Sequence, residues 1–113
     1  MKLGLVMAKT KTKNAFRVEL RAVAYQHGRW WIAHCLELDL VAEGKTPIAA
    51  IEDVMDLSCT QIAEAVESGD IQSVFRAAPP EIWVMFSKAA DAPVKHKPLY
   101  PVERFEAREA VLA

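Results

Sequence analysis

The chain has 113 residues, 52% of them hydrophobic and 26% charged, which is enough for one buried core and leaves nothing for a second. That composition excludes wholesale disorder, and a net charge of −1 excludes a general coat on a polyanion such as DNA. Cys35 and Cys59 are the only cysteines, too few for a disulfide framework and without the paired spacing of a zinc site, so the expected compartment is the reducing cytoplasm.

Residues 1–15 hold Lys2, Lys9, Lys11 and Lys13 and no acid. They read as a basic, flexible arm, with no long apolar run of the kind that makes a secretory leader or a membrane span. From Phe16 to Ala22 apolar and charged residues alternate with the period of a half-buried strand. Gly28 in Tyr25-Gln26-His27-Gly28-Arg29 suits a tight turn, and Trp30 to Leu36 is aromatic and apolar enough for the second strand of a hairpin. Leu38 to Ala42 alternates again and predicts a third strand. Thr46-Pro47 then marks a helix start: the hydroxyl can cap an orphan N–H, and proline at the first helical position loses nothing by lacking its own. Ile48, Ile51, Met55, Cys59, Ile62 and Val66 form one apolar stripe, and Gly69 is the expected stop. After Pro79-Pro80 the short apolar run Ile82 to Phe86 predicts a fourth strand, and beyond Lys88 the prolines 93, 98 and 101 suggest an extended segment with one helical piece over Val102 to Leu112. There is no internal repeat. The expectation is an α+β domain of order β-β-β-α-β over residues 16–88, one helix on an antiparallel sheet in two layers, with 89–113 as a proline-containing extension.

Charge is distributed unevenly. Between Leu36 and Asp70 nine acids face the single base Lys45, a balance of −8. At 100° per residue Glu52, Asp53, Asp56, Glu64 and Glu67 fall within about a third of the helix circumference, opposite the apolar stripe. Such a face can simply be solvated, or it can select a basic partner. Lys9, Lys11 and Lys13 are the corresponding candidates for contact with nucleic acid. Trp30 and Trp31 must point to opposite sides of one strand, so one ring, with Val23, Tyr25 and Trp83 as neighbours, is expected on the face away from the helix. That patch predicts a homodimer or tetramer through the sheet or its edges.

Catalytic chemistry finds little purchase. His34 and Cys35 are adjacent and therefore point to opposite faces of a strand, which argues against a nucleophile and base pair. Both cysteines read as packing residues. The histidines 27, 34 and 96 have no ligand spacing, and the four glycines lie too far apart for a phosphate loop. A two-metal nuclease needs converging carboxylates; Glu19 and Glu52 could supply two, but Ile82 to Phe86 supplies none. A non-enzymatic protein without cofactor or metal is expected.

The stretch Trp31-Ile32-Ala33-His34-Cys35-Leu36-Glu37-Leu38-Asp39, followed by Gly44-Lys45-Thr46-Pro47-Ile48-Ala49-Ala50-Ile51-Glu52-Asp53-Val54, resembles the HicB family of antitoxins, with Gly44, Thr46, Ala50, Ile51 and Val54 matching its pattern. The resemblance covers roughly Phe16 to Phe86 and implies a truncated ribonuclease-H-like fold. It departs at Ala49, where the family usually has an acid, and at the C-terminus, where the family's full-length members carry a DNA-binding domain and this chain has a proline-rich segment. DNA is thus not an expected partner. What the resemblance implies is the protein-binding role, neutralising a small basic HicA-type ribonuclease toxin. The alternative is a free-standing oligomeric RNA-binding protein that uses the lysine arm and the sheet aromatics.

Overall fold

The computed structural model describes residues 17–110. Strands β1 (Val18–His27), β2 (Trp30–Cys35) and β3 (Leu40–Gly44) form an antiparallel meander, followed by helix α1 (Pro47–Ser68), a 3₁₀ turn (Gln72–Val74), helix α2 (Pro80–Lys88), and strands β4 (Ala90–Asp91) and β5 (Val102–Glu109). The five strands make one mixed sheet in the order β3-β2-β1-β5-β4. The long helix and the short helix pack on its opposite faces, as the two core clusters show.

The meander and α1 form for the reasons the sequence supplies. Gly28 takes φ +66° in the β1–β2 turn, where an L side chain would be strained. Thr46 Oγ1 accepts a hydrogen bond from the Ala49 amide at 3.1 Å, Pro47 occupies the first turn, and Gly69, with φ 76°, returns its N–H to the last carbonyls. The stripe is buried as expected through Ile51, Met55, Cys59 and Ile62, and Ala50, Val54, Ser58 and Ala65 widen it. Gly44 has a packing role. A Cβ there would lie 2.6 Å from the Ala50 backbone nitrogen, so only glycine lets the first turn of α1 sit directly on β3.

The C-terminal third departs from the expectation. Ile82 to Phe86 is not a fourth strand but the body of α2. A short apolar run has no periodicity that separates strand from buried helix, and here Pro80 at the helix start, Glu81 in the first turn and Lys88 in the last favour the helix, with Ile82 and Phe86 buried one turn apart. Val102 to Glu109 is not helical. Phe105-Glu106-Ala107-Arg108 alternates with period two, and the segment pairs in parallel with β1, matching Leu20 to Phe105 and Ala22 to Ala107. Strand β5, within the segment expected to be an extension, lies beside central β1 and places Val102, Phe105 and Ala107 in the main core. The expected two-layer antiparallel arrangement becomes a mixed sheet covered on both faces, because a strand following the α1 crossover can return parallel to β1.

The residue alternation along β1 sorts the interior. Leu20, Ala22 and Ala24 face α1, together with Ala33, Cys35, Phe105 and Ala107. Val23 faces α2, with Leu36, Ala78, Ile82 and Phe86. Among the described residues no helix is long and apolar enough to cross a membrane.

Candidate functional site

Helix α1 is held against the sheet by a face so apolar that its outer face is free of packing demands. On that outer face Asp53, Asp56, Glu64 and Glu67 are exposed and stand together as a ridge. Glu52 is placed differently: it is half-buried at the flank, with Oε1 3.8 Å from His96 Nε2 of the β4–β5 connection. Among the described residues no Lys or Arg forms a salt bridge with the four ridge carboxylates. The helix has no acid in its first turn and no base in its last, while Glu64 and Glu67 sit toward the negative end of its dipole. Like-charge neighbours at three or four residues add a few tenths of a kcal/mol each against the helix. The arrangement opposes helix stability at several points at once. Past the helix end the ridge continues into an open hollow of about 370 Å³ lined by Gln61, Glu64, Ser68, Asp70 and Ser73.

The other sequence candidates are dispersed. Lys9, Lys11 and Lys13 lie outside the described residues. His34 and Cys35 point to opposite faces, as strand geometry requires. The Cys35 thiol lies in the α1-side core, where burial pushes its pKa up to about 11, a rise that the Glu37 carboxylate reinforces and the neighbouring Ser58 hydroxyl and the Leu38 and Glu37 amides only partly offset. Burial likewise raises Cys59. Neither is a thiolate near neutral pH. Glu19 sits on the α2 face of the sheet and Glu52 on the helix packed against the other, so these carboxylates do not converge. Among the described residues no three His, Cys, Asp or Glu side chains are grouped to hold a metal ion.

The α2 face carries a polar arrangement that sequence reasoning missed. Glu37, in the β2–β3 loop, accepts the Arg21 backbone N–H and the Arg21 Nε–H, both at 2.8 Å. The same guanidinium lies 5.4 Å from the Trp83 ring centroid. Burial raises the Glu37 pKa, and the Arg21 amide and charge pull it back only partly. Arg108 lies 4.2 Å from the Phe86 ring centroid and donates to the Phe86 carbonyl at 3.0 Å. Nearby, His34 Nε2 and Asp39 Oδ1 are 2.6 Å apart, closing the β2–β3 loop. No spacing motif announces these contacts, because Arg21, Glu37 and Trp83 come from three separate stretches of chain.

The aromatic patch expected on this face is largely taken up by the protein itself. Trp31 packs into the α1-side core, while Tyr25 and Trp83 pack against Val23 and α2. Of the patch, Trp30 stays open, at 39% exposure. Comparison of the chain with protein-family models, with curated proteins and with solved structures finds no match.

Proposed function

We propose that this protein is a non-catalytic binding domain of the HicB-like antitoxin type, and that its exposed α1 ridge, Asp53, Asp56, Glu64 and Glu67, receives a basic protein, a small HicA-type ribonuclease toxin. The observation that carries the proposal is the ridge itself: carboxylates that, among the described residues, have no salt-bridging Lys or Arg, on a helix whose opposite face is committed to the core. A ribonuclease must be basic to grip its substrate, and complementary charge both accelerates encounter and discriminates against wrong partners. The meander followed by a capped helix on the sheet agrees with the resemblance at residues 31–54. The mixed sheet, with β5 alongside β1, extends that plan into the C-terminal segment, where the resemblance offers no counterpart.

Co-expression with each short reading frame beside the gene tests this reading. One such frame is expected to be toxic alone, to be neutralised by this chain and to co-purify with it. The triple substitution Asp53→Lys, Asp56→Lys and Glu64→Lys should abolish rescue while leaving the fold intact. Rescue unchanged by that triple substitution would discard the acidic ridge as the contact. The absence of any toxic neighbour, together with salt-sensitive RNA binding that is lost when residues 1–13 are removed, would replace the antitoxin reading with the RNA-binding one.

A further inference from the structure

The two edges of the sheet are finished differently. On the far side β5 is covered at its C-terminal end by the two-residue β4, and the chain then leaves through Pro93, Pro98 and Pro101. Proline and short strands are what proteins use to keep an edge from pairing. The β3 edge has none of these guards. Leu40-Val41-Ala42-Glu43-Gly44 contains no proline, no lysine and no bulge, and it is paired with β2 on one side only.

Register shows which backbone groups are open. Leu36 donates its N–H to the Arg21 carbonyl, so Arg21, Val23 and Tyr25 point their peptide groups at β2, where His34 and Ile32 answer them. Trp31, Ala33 and Cys35 consequently turn to β3 and meet Gly44, Ala42 and Leu40. The peptide groups of Val41 and Glu43 point outward, and among the described residues no backbone hydrogen bond reaches them.

From this geometry we infer that β3 pairs with β3 of a second copy, antiparallel about a two-fold axis at Ala42, to form a continuous sheet across a homodimer. This register brings Val41 opposite Glu43 of the second copy and Ala42 opposite its own mate, and it keeps the two Glu43 side chains apart. Lys45, the single base among nine acids between Leu36 and Asp70, follows β3 and falls near Asp39 of the second copy, which precedes β3 and whose Oδ1 already pairs with His34 of its own chain, so Lys45 would share that carboxylate. Symmetry repeats the contact.

The flanking surfaces agree. On the α2 face Val41 is 52% exposed, near half-buried Ile32 and exposed Trp30; pairing would lay each Val41 against the aliphatic stem of Glu43 of the other copy, whose carboxylate stays in solvent. On the other face, Glu52 and Cys59 mark the flank of α1 turned to the segment before β5, through His96 and Leu99. Leu57, 37% exposed, lies nearly opposite them around the helix, on the side of the β3 edge. Leu57 borders the acidic ridge, one turn from Asp53, and the inference does not depend on the nature of any partner bound there.

The test is the mass of the full chain in solution by analytical ultracentrifugation across a concentration series, combined with cysteine trapping. The wild type should sediment as a dimer. Val41→Pro, which removes an outward N–H that the monomer does not use, should give a folded monomer with unchanged circular dichroism. Lys45→Glu, a surface change that serves if the proline variant does not fold, should weaken the dimer by about tenfold or more at low salt. Under mild oxidation Ala42→Cys should cross-link to its own mate, and Glu43→Cys, which faces Val41, should not. A wild type that is monomeric throughout overturns the inference. So does a dimer that tolerates Val41→Pro or Lys45→Glu, or one in which Ala42→Cys fails to cross-link.

Discussion

The two faces of the sheet are built by different means. Beneath α1 lies an almost unbroken apolar interior, in which Leu20, Ala22 and Ala24 of β1 meet Ile51, Val54, Met55 and Ile62 of the helix at no more than 1% exposure. Beneath α2 the buried apolar set is short, Val23, Leu36, Ala78, Ile82 and Phe86, and ion pairs and stacked guanidinium groups complete the layer. A 22-residue helix can span the sheet, whereas a nine-residue helix leaves its margins to Arg21, Glu37 and Arg108. One face is thus specified by hydrophobic area, the other by a few directional contacts, and the two should respond differently to substitution.

The largest effect is expected on the α1 face. Ile62→Ala leaves a cavity among side chains that cannot collapse and should cost about 2–5 kcal/mol in chemical denaturation. A loss below about 1 kcal/mol would mean that this face is not the close-packed core.

The same burial sets a pH dependence. Cys35 has a folded pKa raised from 9.0 to about 11, so the folded state holds its proton more tightly than the unfolded one. Its contribution to stability is complete below pH 9 and is lost as pH rises toward 11, on the order of 2–3 kcal/mol over that window. The stability difference between wild type and Cys35→Ala should be flat from pH 7 to 9 and shrink above it. Alkylation of Cys35 should require unfolding.

On the α2 face Glu37→Ala removes both acceptors of Arg21 and leaves its backbone N–H without a partner. The expected cost is about 1–3 kcal/mol, with Trp83 fluorescence changing as the guanidinium loses its anchor. Because the Glu37 pKa is raised by burial, the folded state binds the carboxyl proton more tightly than the unfolded one. Its contribution therefore declines as pH rises through the window just above the ordinary carboxylate value, so Glu37→Gln should flatten that part of the stability curve.

The smallest effect has the opposite sign. Glu67→Lys places a cation near the negative end of the α1 dipole and removes a like-charge neighbour of Glu64, so thermal stability should rise by about 0.3–1 kcal/mol. A variant that is more stable yet poorer at binding a basic partner would show that the ridge is maintained against the interest of the helix.

Local chemistry alone determined the described chain from β1 to the end of α1. Strand alternation, the Gly28 turn, the Thr46-Pro47 start, the apolar stripe and the Gly69 stop are each encoded within a few residues, and the acidic ridge follows from the helix period once the helix is known. These features depend on backbone geometry and on neighbours close in sequence, so they could be read without coordinates. The C-terminal third could not be read in this way. Whether Ile82 to Phe86 became strand or helix was decided by what it covers: Val23 and Leu36, two buried side chains on the face that α1 leaves bare. Whether Val102 to Glu109 became helix or strand was decided by the vacant side of β1, whose peptide groups at Leu20, Ala22 and Ala24 had no partner until β5 supplied one. Hydrogen-bond completion and apolar coverage across 50 to 90 residues of intervening chain are properties of the assembled layers. The same reason kept the Arg21–Glu37–Trp83 contact and the open Val41 edge out of sight until the tertiary structure placed them.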